Sequence, residues 1–260
     1  MSNIAPFNRP SEALFDEQIL LQGDESFDEV CSKLPCHIDF VLNGSDQHLK
    51  LSERLAQHLT PEWANSKATF KLRKDKVAQQ DAMRASGMPY IPQVCIPCPL
   101  EDNDFGHYLS DMTFPVFAKP VNGGGSIGIF KANSFSEFQN KMKSVPRMVN
   151  FDPITHYLVQ PFIADQEIII DSFSVQGKHE ISNIFSYYKS FYHSSPVYRY
   201  VGSVDDASIS QQAFQFVSDV LNVCSYENGF AHTNTFAIMR RFSDHGSAPE
   251  LKSFPRRLNY

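Results

Sequence analysis

The chain has 260 residues, 42% hydrophobic and 13% aromatic with 22 Phe, enough apolar material for a large buried core; this excludes a disordered chain. Its formal charge of −6 and isoelectric point near 5.8 argue against a nucleic-acid surface, and no run of about 18 apolar residues offers a membrane span. The start, MSNIAPFNRPSEALFDEQ, lacks a basic segment leading into an apolar one, so a cytoplasmic location with no nucleic-acid and no membrane partner is expected.

Residues 1–65 read as a partial α/β piece. HIDFVLNG, 37–44, is an apolar run closing on Asn43-Gly44 and predicts a strand. Leu51, Leu55 and Leu59 then mark one face of a helix. A second helix is expected over 74–86, stopped by Gly87 with Pro89 beyond. The proline-rich stretch YIPQVCIPCPL, 90–100, reads as an extended connector leading to a strand at 114–119. Cys95 and Cys98, with Cys31 and Cys36, could form a zinc site only with looser spacing than such sites use, so reduced and mostly buried thiols are expected.

IGIFKA, 127–132, predicts another strand, and Ser134 with Glu137 opens a helix whose apolar stripe is Phe135, Phe138 and Met142. HYLVQPFI, 156–163, is strand-like, and two more strand runs flank a turn at Gln176-Gly177. A helix fits 208–223, capped by Ser208 and Gln211, with Ile209, Ala213, Phe216, Val217 and Val220 inward. FAHTNTFAIM and APELKSF supply two closing strands, so residues 66–260 read as a mainly antiparallel α+β domain.

Between the strands at 114–119 and 127–132 lies NGGGSIG, 122–128. It satisfies G-x-G-x-x-G, but the dinucleotide version must open a helix, and here Ile129-Phe130-Lys131 continue as a strand. A Walker loop would end in Gly-Lys-Ser/Thr, which is absent. The kinase-like triplet Asp104-Phe105-Gly106 precedes the glycines and has no H-R-D partner, so it reads as chance. What remains is a strand–glycine loop–strand hairpin with Lys119 on the incoming strand. Its glycines allow backbone N–H groups to approach phosphate oxygens without a Cβ in the way. A ligand-free tight hairpin is the plainer alternative.

These residues resemble the ATP-grasp superfamily, and within it the carboxylate–amine ligases of the L-amino-acid and D-alanine–D-alanine type. The resemblance rests on FPVFAKPVNGGGSIGI, on LRKDKVAQQDAMRASGMPYIP and on YLVQPFIADQE, in that order along the chain. It implies an ATP-grasp fold, two α+β subdomains clamping a nucleotide over residues 66–260, with a hinge near 160–163 and a truncated α/β piece in front. It implies ATP and Mg2+ as cofactors. Lys76, Lys119, Gly123, Gly124, Gly125 and Ser126 would hold phosphates. Gln160 would face the adenine amino group, the Pro161 carbonyl and Ile163 N–H would pair with the base edge, and Glu167 would hold the ribose hydroxyls. Glu250 and Asn234 would hold the metal, and Arg256 and Arg257 would act near the transferred phosphoryl group.

The match departs in its closing strands. Asn234 stands where a glutamate is expected, Lys252 where an asparagine is expected, and the arginines are displaced by about two residues. The lobe before Thr60 is short, and the chain stops soon after the metal strand. Two readings therefore stay open. One is an ADP-forming ligase that joins a small carboxylate to an amine, amino acids among the candidates, through an acyl phosphate. The other is a non-catalytic nucleotide-binding module, or a degenerate ligase. A homo-oligomer or partner chain that completes the site is a further alternative. His232 reads as a packed or hydrogen-bonded strand histidine rather than a base, and Tyr187, Tyr188 and Lys189 fit a substrate wall and an aromatic sheet face equally well.

Overall fold

The computed structural model describes residues 15–45, 48–100, 104–121, 127–149, 152–164, 166–192, 195–204, 207–237 and 254–259. The chain divides into two compact units between Phe40 and Val41. In the first, helix α1 (Phe27–Ser32) is held by a capping box: Ser26 Oγ accepts from the Glu29 N–H, and the Glu29 carboxylate accepts from the Ser26 N–H at 2.7 Å.

The second unit begins with helices α2 (Leu49–Leu59), α3 (Phe70–Lys74) and α4 (Lys76–Ala85). Asp75 caps α4, its carboxylate accepting from the Val77 and Ala78 N–H groups at 2.8 and 3.2 Å. At the other end Gly87 takes φ +70°, and bonds from Gly87 to Arg84 and from Met88 to Met83 close a Schellman motif. The expected stop is therefore the observed one.

Strand β1 (Val94–Pro97), helix α5 (Phe105–Leu109), strands β2 (Val116–Pro120) and β3 (Phe130–Ala132), helix α6 (Phe135–Met142) and the two-residue strands β4 (Met148–Val149) and β5 (Asp152–Pro153) come next. They are followed by β6 (His156–Pro161), β7 (Gln166–Val175), β8 (Lys178–Tyr192), β9 (Ser195–Ser203), helix α7 (Ala207–Val223), β10 (Gly229–Ala237) and β11 (Phe254–Asn259). One antiparallel sheet has the order β1-β6-β2-β3, and the other β11-β10-β7-β8-β9.

Strand alternation sorts each sheet into two faces. In the first, Ile96, Val116, Ala118, Phe130, Tyr157 and Val159 pack on Phe105, Leu109, Phe138 and Met142 of α5 and α6. In the second, Ile168, Ile170, Ile184 and Ala231 pack on Met83 of α4 and on Ala213, Val217, Val220 and Leu221 of α7. These α7 positions recur at helical spacing, so one stripe of the helix is spent on the sheet. Both remaining faces are free to carry polar chemistry. Among the described residues no helix is long and apolar enough to cross a membrane.

Arg73 locks the helices together. Its side chain is fully buried, and all five guanidinium hydrogens are used. Nε and Nη2 donate to the two Glu53 oxygens at 2.6 and 2.5 Å, Nη2 also to Ser66 O, and Nη1 to Thr69 Oγ1 and Cys224 O.

Three expectations change. Residues 37–45 form no strand, because no neighbouring strand pairs with them, and Phe40 and Leu42 stay exposed. The proline-rich connector contains β1, whose residues 94–97 pair with β6. Its prolines are tolerated because β1 is an edge strand. All five cysteines are free, as expected, but only Cys98 and Cys224 are buried, and Cys36 is exposed. Of the segment expected as the last strand, 248–254, only Phe254 is described, and there β11 begins.

Candidate functional site

Phe117 and Lys119 share a face of β2 by alternation, and the register sets Lys131 and Gln160 opposite Phe117, and Leu158 opposite Lys119. This is the face turned away from α5 and α6. In the second sheet, the face turned away from α4 and α7 carries Glu167, Ile169 and Asp171 on β7, Tyr187 on β8, and Phe236, Asn234 and His232 on β10. A cleft of about 250 Å³ lies between the sheets, lined by Phe117, Gln160 and Pro161 from one side and Glu167, Tyr187 and Phe236 from the other. That volume lies a little under the range of about 300–1,000 Å³ usual for whole ligand sites, and suits a base and a sugar.

The end of β6 and the residues after it, Pro161, Phe162 and Ile163, line this cleft. The Phe162 N–H donates to Pro115 O at 2.9 Å, toward β2. A trans peptide sets its carbonyl opposite to its N–H, so the Pro161 carbonyl points away from β2. Gln160 is 4% exposed and lines the cleft.

Lys76 and Lys119 are both buried. Lys76 is the first residue of α4, placed there by the Asp75 cap, and its Nζ donates to Val121 O at 3.0 Å. Val121 is the last described residue before the glycine loop, so the Lys76 ammonium lies at the loop's entrance, two residues past Lys119. Gly128, at the loop's exit, takes φ +69°, and a Cβ there would meet Tyr157 Oη at 2.7 Å; that hydroxyl donates to the Gly128 carbonyl.

Glu167 is not bare. Lys189 Nζ lies 2.5 Å from its Oε2, and that ammonium also sits 4.9 and 4.4 Å from the ring centres of Tyr187 and Tyr198. Burial, aided by Tyr198, Glu167 and Asp171, pushes the Tyr187 phenol up to about 12, so it remains an O–H donor at neutral pH. Lys131 Nζ lies 4.0 Å from the Phe162 ring centre, and Phe162 meets Phe191 edge-on at 5.6 Å. Lys131, Phe162 and Phe191 went unnoticed in the sequence. The hairpin register that pairs 117 with 131 was the signal that could have found the lysine.

Farther along the second sheet, His232 Nδ1 contacts Asp171 Oδ1 at 2.6 Å, and both side chains are about a third exposed. His232 is therefore a hydrogen-bonded strand histidine, as the sequence suggested. Asn234 is buried, and the ladder sets Arg257 opposite it, with Arg256 at a bulge between the 234 and 235 pairings. Gly123, Gly124, Gly125, Ser126 and Glu250 lie outside the described residues.

A Mg2+ ion wants hard, charged oxygens. Asn234 offers a neutral amide oxygen, while Glu167 and Asp171 on this face are held by Lys189 and His232. Among the described residues no group of three or more His, Cys, Asp or Glu has metal-holding geometry. These residues alone do not make a Mg2+ site.

Residues 87–214 match the family described as D-ala D-ala ligase C-terminus. Dapdiamide A synthase of Enterobacter agglomerans is 22% identical over 231 residues, which cover 86% of this chain and 53% of that protein. Among solved structures, the VanG D-Ala:D-Ser ligase of Enterococcus faecalis superposes with a TM-score of 0.62 at 16% identity, over 84% of this chain and 61% of that one. The D-alanine–D-alanine ligase of Bacillus anthracis complexed with ATP gives 0.60 at 15% identity, over 90% and 72%. The chain spans about half the length of the curated relative it matches.

Proposed function

We propose that this chain, an ATP-grasp protein that resembles the carboxylate–amine ligases, binds ATP between its two sheets and uses it to join a small carboxylate to an amine. What carries the reading is a cleft lined by Gln160, Pro161, Ile163 and Glu167, with the buried Lys119 on the neighbouring strand and the buried Lys76 at the entrance of the glycine loop. In this reading the Pro161 carbonyl and Ile163 N–H meet the adenine edge, and Glu167 accepts from the ribose hydroxyls. Lys76 and Lys119 neutralise the phosphates at the mouth of the glycine loop, Gly123 to Ser126.

The chemistry needs no protein nucleophile. A substrate carboxylate oxygen attacks the γ-phosphorus, the bond to the β,γ-bridging oxygen breaks, and ADP leaves. The amine then attacks the acyl carbon of the acyl phosphate, inorganic phosphate leaves, and the amine gives up a proton to form the amide. The protein's part is positioning and fixed positive charge, with Arg256 and Arg257 assigned to the transferred group. Mg2+ enters this reading with the triphosphate, with Glu250 and Asn234 as its proposed protein contacts, and no step above runs through it.

One observation favours a second reading, a nucleotide-binding module without turnover: Asn234 brings no charge to a face whose described carboxylates are already paired. The test is ADP release by the purified chain with ATP and a panel of amino-acid pairs. The ligase reading expects release that needs both a carboxylate and an amine and falls at least 100-fold in Lys119→Ala. ATP binding with no ADP release across the panel would leave the module as the function.

A further inference from the structure

Resting on the nucleotide reading of the cleft, in which Glu167 accepts from the ribose, we propose that Lys189 competes with the sugar hydroxyls for Glu167 and so sets how strongly the site selects its sugar. Both residues line the cleft, and the side chains of Lys189 and Glu167 are only 13% and 8% exposed. The ammonium donates to Glu167 Oε2 at 2.5 Å. Two rings hold it there: its nitrogen lies 4.9 Å from the Tyr187 ring centre and 4.4 Å from that of Tyr198, and the rings meet edge to face at 4.8 Å. A bulge builds this seat. The β8–β9 register slips after Tyr188, which stands opposite Tyr200, so that Lys189 stands opposite Tyr198. The slip brings Tyr198 to the face that Tyr187 and Lys189 share.

A carboxylate with no cation beside it would offer two vicinal hydroxyls its whole charge, one oxygen for each. At Glu167 that charge is already answered by an ammonium in place before a ligand arrives. A hydroxyl at Oε2 displaces the ammonium or shares the oxygen with it. The sugar therefore gains only the difference between its new hydrogen bonds and the ion pair it weakens. A nucleotide without the two hydroxyls leaves the pair intact and forgoes only that difference. Lys76 and Lys119 do not enter this comparison, because they are assigned to the phosphates, which both nucleotides carry.

The test is calorimetric titration of ATP and of 2′,3′-dideoxy-ATP into the wild-type chain and Lys189→Met. The ratio of the two affinities cancels whatever the base and phosphates contribute. That ratio is expected to be about tenfold larger in Lys189→Met than in wild type, the worth of one hydrogen bond to a charged group. A ratio no larger in Lys189→Met overturns the proposal. Tyr198 is half exposed, so Tyr198→Ala supplies a second variant that keeps both charges and leaves the buried pair in place. With the ammonium less firmly seated, its ratio is expected to rise about threefold over wild type, the worth of one cation–π contact. Should Lys189→Met fail to fold, no rise in Tyr198→Ala overturns the proposal instead. Binding of both nucleotides with one unchanged ratio throughout sinks this proposal and leaves the nucleotide reading standing. If a folded wild-type chain, judged by its cooperative thermal transition, binds neither nucleotide, that reading falls and this proposal with it.

Discussion

At the scale of single residues, the sharpest commitment in the molecule is Arg73. Its five donors are all satisfied, two of them by the same carboxylate, and the side chain has no exposed surface. Removing the guanidinium strands Glu53, whose side chain is only 13% exposed. Arg73→Met is expected to cost about 3–5 kcal/mol in urea unfolding, the usual penalty for breaking a buried pair by one partner. The double variant Arg73→Met, Glu53→Met should recover much of that loss, because no charge is then left unpaired. Nothing in the sequence singled out Arg73 from its neighbours Lys71 and Lys74. Burial of one of three adjacent basic residues is decided by helices that meet only in the fold.

At the scale of elements, helix α4 couples local stability to the candidate site. Asp75 satisfies two N-terminal N–H groups, and the next residue, Lys76, is the one whose ammonium reaches Val121. Asp75→Ala is expected to lower stability by about 1 kcal/mol, the usual worth of an N-cap. Because the first turn also positions Lys76, the same change should weaken ATP binding severalfold, while Asp81→Ala, on the same helix but exposed, should not. Thermal unfolding and calorimetry on the two variants check both halves. Capping signals were the most readable feature of this chain: Gly87 and Ser134 ended and opened helices where their chemistry said they would. The box at Ser26 and Glu29 obeys the same rule, but at six residues α1 is too short to show an apolar stripe.

At the scale of the whole molecule, the two sheets each bury one face against helices, and burial there and in the cleft between them raises the pKa of four weak acids. Burial pushes the Cys224 thiol up from its ordinary 9 to about 12, the Tyr187 phenol from 10 to about 12, and the Tyr157 and Tyr226 phenols higher still. A raised pKa in the folded state means that the unfolded chain gives up these protons first. The resulting stability is fully present below about pH 9 and is lost as pH rises from there through 12. The chain is therefore expected to unfold cooperatively in alkali, with its buried phenols ionising in the same transition. Parallel titrations of phenolate absorbance and of circular dichroism check this; ionisation of all ten tyrosines before any loss of structure would contradict it.

The sequence by itself determined the antiparallel α+β character, the helix stop at Gly87 and start at Ser134, and the order of lysine, glycine loop and Glu167 along the chain, because these rest on local rules: strand alternation, capping geometry and glycine's freedom at positive φ. It also carried the likeness to carboxylate–amine ligases. Only the tertiary structure decided which polar residues meet. Lys131 stands opposite Phe117 because β3 pairs with β2, and Lys189 reaches Glu167 because β8 lies beside β7. His232 finds Asp171 sixty-one residues away. The strand expected at 37–44 failed for the complementary reason: an apolar run becomes a strand only when another strand offers it hydrogen bonds, and that is a property of neighbours, which no local pattern encodes.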